Sequence, residues 1–269
     1  MPAALRLIHP APALAVTLLS GVLGAILLGQ AGSSPGWRLL LTAAAVAGSQ
    51  ITTGALNDLA DQPRDAVSGR GEKPLPAGLI SRPAAVGVAA AGGLLQVAAS
   101  LPLGAVPLLL GLAALASAVA YDLWLSRTPL SALPYLVSFG LLPLWIATGI
   151  GVEVARVLPA VPLAGLIAAA AHLANTLRDF DADTATGSRS LGQQLGRRGT
   201  RLLAAACLAG CGLGVAAALL LGGAGLISLL LGVAGLVVVV VGSLRERTLW
   251  YAILVAAVAW TAAWALATG

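Results

Sequence analysis

The sequence predicts an all-α polytopic membrane protein with nine transmembrane helices and a cytoplasmic N-terminus. Three observations carry this. Over 269 residues the hydrophobic fraction is 59%, the charged fraction 9% and the mean hydropathy +0.96. An ordinary soluble domain is about a quarter charged. Nine apolar runs approach the ~20 residues that a spanning helix needs, and the basic residues gather in alternate connections between them. So few charges cannot cover a water-soluble globule, and so apolar a chain cannot be disordered.

Bounded by Pro, Gly and charge, the runs cover residues 12–28, 39–58, 83–101, 106–125, 130–150, 158–177, 201–221, 222–241 and 249–268. The first has only Arg6 ahead of it and eight further runs behind it, so it reads as a span rather than a cleaved signal peptide. The seventh and eighth are joined at Gly222-Gly223. Together, residues 1–269 form a single membrane domain.

Charge placement orients the bundle. With the N-terminus inside, Arg6, Arg64, Arg70, Lys73, Arg82, Arg127, Arg178, Arg189, Arg197, Arg198, Arg201, Arg245 and Arg247 share the cytoplasmic face. Arg38 and Arg156 alone fall on the other. This is the bias of the positive-inside rule. The net charge of +5 is therefore a topology signal and implies no nucleic-acid partner. Cys207 and Cys211, four apart in an apolar run, read as small buried hydrophobes rather than a disulfide or a zinc site.

The acids are less expected. Nine of the ten, all but Glu153, fall on the basic face, and six of them make two clusters. The first closes the second span with Asn57, Asp58, Asp61 and Asp65, whose carboxylates project within roughly 60° of one another on a helix. Pro63 disfavours helix at Gln62, which predicts a kink before Asp65. The second cluster closes the sixth span. There Asp179 and Asp183 share a stripe with His172 and Asn175, while Asp181 points about 160–200° away and is left out of the ligand set.

Carboxylates crowded on one face repel unless a cation holds them. Oxygen ligands of this kind suit Mg²⁺, whose coordination is usually completed by water and substrate phosphates. Arg and Lys in the same two loops neutralise what remains of a diphosphate. One shared site at the cytoplasmic mouth of an apolar bundle suits an anionic head on a long hydrocarbon tail, as in a polyprenyl diphosphate.

These residues resemble the UbiA-type intramembrane prenyltransferases. Asn57, Asp58, Asp61 and Asp65 match the family's N-D-x-x-D-x-x-x-D motif in full, and Lys73-Pro74-Leu75 with Gly78 is similar to its [RK]-P-[LI]…G stretch. Asp179, Asp183 and Gly187 fit D-x-x-x-D-x-x-x-[DG], followed by Leu191 and Gly196. The resemblance covers essentially the whole chain. It implies a UbiA-like helical bundle with a central cavity, and transfer of a prenyl group from a prenyl diphosphate to an acceptor with Mg²⁺ and release of diphosphate. The family's acceptors are often aromatic quinone precursors and related lipids. By the resemblance, Asp58, Asp61, Asp65, Asp179 and Asp183 carry the metals; Arg64, Arg70, Lys73 and Arg178 face the diphosphate; and Asn57, Lys73, Asn175 and Tyr121 are catalytic candidates.

Two departures bear on the acceptor side. Where the family often has Lys four residues after a Tyr, this chain has Leu125 after Tyr121, with Arg127 beyond, and Gly187 replaces a third carboxylate in the second motif. Tyr121 also fits an interface anchor, as do Trp37, Trp250 and Trp264. His172 reads either as a functional polar group within a span or as a residue bonded to a neighbouring helix. Trp124 and Trp145 read either as anchors or as cavity lining.

Rival readings are a UbiA-type membrane terpene cyclase, a non-catalytic polyprenyl-lipid carrier and a divalent-cation transporter. The last would place carboxylates near mid-bilayer at broken helices, which this sequence does not. All but one of the basic residues are arginine, and with the Ala and Gly richness this points to a bacterial cytoplasmic membrane with the site facing the cytoplasm.

Overall fold

The computed structural model describes residues 2–67 and 73–268. Its elements are helices and short 3₁₀ turns, with no strand among the described residues. Among the described residues eight helices are long and apolar enough to cross a membrane, and a shorter apolar stretch, Thr248–Trp264, makes the ninth. By contact the chain divides into two compact units, Met1–Trp124 with Leu141–Val157, and Leu125–Gly140 with Leu158–Gly269.

The first unit holds α1 (Ala3–Leu7), α2 (Pro10–Gln30), α3 (Trp37–Val67), α4 (Arg82–Ser100), α5 (Ala105–Leu123) and the second half of α6 (Leu133–Ile150). Pro10 and Pro83 sit in the first turns of α2 and α4, where the missing N–H has no partner to lose, and Ser81 caps α4 by accepting the Ala84 N–H at 3.3 Å. α3 and α4 lie backbone to backbone. A Cβ built on Gly92 would fall 2.7 Å from the Gly48 carbonyl, and Thr52 Oγ1 donates to the Ala89 carbonyl at 3.0 Å. Without a hydrophobic force between helices in lipid, such close contact and interhelical hydrogen bonds hold them together. Trp145 is buried against Ala45, Val46 and Ala99, so it is core.

Arg38, a base on the sparsely charged face, is accounted for in this unit. Its guanidinium donates to the Gly149, Leu103 and Thr148 carbonyls at 2.9, 3.0 and 3.3 Å. The Thr148 and Gly149 groups belong to the last turn of α6, where carbonyls lack intrahelical donors and the helix dipole favours a cation. Arg38→Met is expected to destabilise the protein by about 1–3 kcal/mol, read as a lower melting temperature in detergent. Lysine should restore only part, because its point charge cannot fork to three carbonyls.

The second unit holds the first half of α6, then α7 (Ala160–Arg178), α8 (Phe180–Ala185), α9 (Leu191–Leu221), α10 (Leu226–Ser243) and α11 (Glu246–Thr268). Its core gathers Leu173, Leu177, Leu208, Cys211, Leu219, Ile253 and Trp260. Trp260 Nε1 donates to the Gly232 carbonyl at 3.1 Å, which satisfies the indole in an apolar setting. Cys207 and Cys211 are free thiols.

Two helices extend past the runs that composition marks. α3 continues through Pro63 to Val67 rather than ending near residue 58. α9 begins at Leu191 rather than near 201, with a break at Gly196, whose φ of 69° and ψ of 170° are not helical. Apolar side chains such as Leu40 (73%), Leu226 (72%) and Leu221 (89%) remain outward. In water these would be a liability, whereas in hydrocarbon they are ordinary surface.

Candidate active site

In the first unit the site is built on the last three turns of α3. Asp58 and Asp65, seven residues apart on one face, are 2% and 0% exposed. Lys73 returns from the following loop and bridges them, its Nζ 3.0 Å from Asp58 Oδ1 and 2.7 Å from Asp65 Oδ2. Burial works against the Lys73 ammonium, but the two carboxylates outweigh it and hold its pKa above that of an ordinary lysine. His9 Nε2 donates to the same Asp58 Oδ1 at 3.0 Å. Asn57, on the adjacent face, donates through Nδ2 to Asp122 Oδ1 at 3.2 Å, and Asp122 is itself buried at the end of α5.

The helix does not break at Pro63. Proline removes one donor there, while the buried carboxylates, the Lys73 bridge and an Arg82 hydrogen bond to Gln62 hold the last turn in register. Asp61 is half-buried on the intervening turn. Arg70 and the side chain of Arg64 lie outside the described residues. Tyr121 is half-buried in the last turn of α5.

In the second unit α7 ends at Arg178. Asp179, with φ −96° and ψ 8°, is the joint to α8. The Asp179 N–H donates to the Asn175 carbonyl at 3.0 Å and the Asp183 N–H to the Asp179 carbonyl at 2.9 Å, so the helical turn carries across. Gly187 then takes φ 71°, which a side chain would strain, and turns the chain toward Ser190, the cap of α9. Asp183 is buried and Asp179 partly so. Asp181 is 90% exposed and pairs with Arg197 at 2.8 Å. Arg178, 63% exposed, lies 3.6 Å from its neighbour Asp179. Asn175 is half-buried, and its Oδ1 accepts no hydrogen bond among the described residues. His172 is packed rather than open: Nε2 lies 3.1 Å from the Ser131 hydroxyl, and the ring stacks on Tyr135 with centroids 4.7 Å apart.

Does this chemistry suit Mg²⁺? Among the described residues no three His, Cys, Asp or Glu side chains gather closely enough to cage an ion. Mg²⁺ does not require a cage, since one or two carboxylates with water and phosphate suffice. Asp58 Oδ2, Asp65 Oδ1 and Asp122 Oδ2 are buried and accept no hydrogen bond among the described residues. Orphaned, buried, hard oxygens are costly unless a cation uses them. The donor set fits.

Two residues of this arrangement escape periodicity. His9 lies 49 residues from Asp58, in a segment with no apolar run. Asp122 did carry a signal, a carboxylate in the last turn of an apolar span directly after Tyr121.

Residues 17–248 match the sequence model of the UbiA prenyltransferase family. The chain belongs to that family. Solved structures agree at the level of fold. A digeranylgeranylglyceryl phosphate synthase shares 16% identity at a TM-score of 0.76, with 99% of this chain and 97% of that one covered. A UbiA homologue from Archaeoglobus fulgidus, bound to GPP and Mg²⁺, shares 18% identity at 0.74, covering 99% and 100%. An apo UbiA homologue from Aeropyrum pernix K1 shares 22% at 0.69, covering 90% and 96%. No curated protein matches. As a member of this family with eight or more apolar helices, the chain is a multi-pass membrane protein.

Proposed function

We propose that this family member is a prenyltransferase that moves a prenyl group from a polyprenyl diphosphate to a small lipophilic or aromatic acceptor of the quinone-precursor type. The observation that carries this is the buried Asp58–Lys73–Asp65 arrangement, with carboxylate oxygens left over, at the end of a membrane helix. The metal-holding residues are Asp58, Asp61 and Asp65 in the first unit and Asp179 and Asp183 in the second. Mg²⁺ held there would supply positive charge to the departing diphosphate. The Archaeoglobus fulgidus homologue binding GPP or DMAPP with Mg²⁺ supports that ion and that substrate class.

The chain's own groups account for the rest. Lys73 stays protonated between its two carboxylates and offers an ammonium to phosphate oxygens. Arg64, Arg70 and Arg178, close in sequence to these carboxylates, add positive charge, and Asn57, Asn175 and Tyr121 orient the head group or the acceptor. The allylic C–O bond breaks with its electron pair leaving on diphosphate. An acceptor atom then bonds the allylic carbon and gives up a proton. Exclusion of water from the site would keep it from capturing the cation. The basic bias of the loops supports a cytoplasm-facing site, and the arginine-dominated, Ala- and Gly-rich composition supports a bacterial cytoplasmic membrane.

Purified membranes given an allylic prenyl diphosphate should release diphosphate only with Mg²⁺. Full turnover in EDTA would sink this reading. Hydrocarbon or alcohol products in the absence of any acceptor would move the assignment to a terpene cyclase. Comparing the lipids of a deletion strain with those of its complement identifies the acceptor.

A further inference from the structure

His9 is the only non-glycine among the described residues with a positive φ, at 49° with ψ 66°. Left-handed backbone is unfavourable for an L-residue and persists where its surroundings impose it. Here they do. Pro10 follows and bars ordinary helix at His9. Leu7, 0% exposed, is sunk among Ala55, Leu59, Leu75, Ala85 and Ala89. The Ile8 carbonyl rests on Gly54, where a Cβ would come within 2.8 Å of it. Gly54 lies one helical turn before Asp58 on the same face of α3. The N-terminal segment is therefore anchored directly beneath the carboxylate, and the strained residue is the one whose ring reaches it.

The contact is selective between the two oxygens. His9 Nε2 and Lys73 Nζ both meet Oδ1, each at 3.0 Å. Oδ2 is buried and accepts no hydrogen bond among the described residues. A carboxylate held by one oxygen cannot rotate freely, and the other is left as the oxygen available to a cation. Resting on the metal-dependent reading above, we propose that His9 is a positioning residue for Asp58. Its hydrogen bond to Oδ1 fixes the carboxylate so that Oδ2 serves the metal. Outer-shell hydrogen bonds to ligating groups typically change metal affinity about 10–100-fold when lost.

Two substitutions separate positioning from simple anchoring. Asparagine tolerates left-handed backbone well, so His9→Asn should fold, but its amide stops short of Asp58. The His9→Gln amide nitrogen reaches about as far as Nε2 and keeps the donor. Mn²⁺ serves as a probe, with its binding to the detergent-solubilised full chain followed by electron paramagnetic resonance without substrate. The expected result is about 10–100-fold weaker Mn²⁺ binding in His9→Asn, with most of it recovered in His9→Gln. Leu7→Ala, which loosens the same anchor but keeps the His9 ring, should lower the melting temperature and weaken Mn²⁺ binding by less than His9→Asn in folded protein. Equal Mn²⁺ affinity in wild type, His9→Asn and His9→Gln would overturn the proposal, as would a loss in His9→Asn that glutamine does not restore. A wild type and an Asp58→Ala variant that bind Mn²⁺ alike would remove the metal reading itself, which is a different outcome.

Discussion

Asp58→Ala is expected to cut diphosphate release from an allylic prenyl diphosphate by at least about 10³-fold, beyond the loss from removing a single charge-stabilising donor. Three consequences fall on one atom group. The substitution removes a buried carboxylate whose Oδ2 accepts no hydrogen bond among the described residues. It takes the shared acceptor from His9 and Lys73. And it leaves Lys73 to close on Asp65 alone, where it already sits at 2.7 Å, so the ammonium is drawn further onto the remaining carboxylate. Raising Mg²⁺ should recover little of the rate, because the deficit is in ligands and not in occupancy alone. Asp58→Asn makes a sharper test, since it keeps size and some hydrogen bonding but deletes the charge. It should fall nearly as far as alanine if electrostatics at the diphosphate decide the rate, and retain most activity if Asp58 only shapes the helix end. Rates are to be read on protein whose melting temperature stays near that of wild type. Asp179→Ala is expected to behave likewise, and retention of wild-type turnover by both alanine variants would end the mechanism.

Much of this architecture is written in local composition. A run of about twenty apolar residues has one low-energy solution in lipid, because backbone groups there must bond within their own helix. That is why the expected spans appear as helices, and why the errors lie at their ends. The end of α3 shows the physical reason. Composition turns polar at Asn57, so hydropathy stops the span, but the helix persists through Pro63 because Asp58 and Asp65 are held two turns apart by one lysine. Hydropathy measures where the hydrocarbon stops and says nothing about where hydrogen bonding stops. The same limit applies at Gly196, where an otherwise helical pattern hides a left-handed break.

Side-chain spacing fares well within one helix. It excludes Asp181, which the structure turns outward onto Arg197, and it places Asp58 and Asp65 on one face. It cannot supply partners that arrive from elsewhere in the chain. His9 meets Asp58 across 49 residues and Asn57 meets Asp122 across 65. No period spans such distances. In each case what brings the groups together is backbone packing, through Gly54 for the first and the α3 helix end for the second.

That packing yields the other large effect. Gly92→Val is expected to abolish recovery of folded protein from membranes, while Gly87→Ala on the same helix melts at or slightly above the wild-type temperature. A Cβ at Gly92 would lie 2.7 Å from the Gly48 carbonyl and 2.7 Å from the Thr52 nitrogen; one at Gly48 would lie 2.6 Å from the Gln96 nitrogen. Those neighbours are backbone, so nothing short of separating α3 from α4 makes room. Gly92→Ala adds the smallest side chain and should cost about 1–3 kcal/mol through overpacking. Valine adds two more carbons and exceeds what one close contact can yield. Gly87 has nothing within 4 Å of its virtual Cβ, so alanine there meets open space and gains up to about 1 kcal/mol of helix propensity. Propensity alone would favour both substitutions, and only the contact separates them. Equal melting of Gly92→Val and wild type would show that α3 and α4 are not held at this distance. Because α3 also carries Asp58, Gly92→Ala should lose activity at temperatures where it is still folded. The spacing that lets Thr52 reach the Ala89 carbonyl belongs to the same helix that carries those carboxylates.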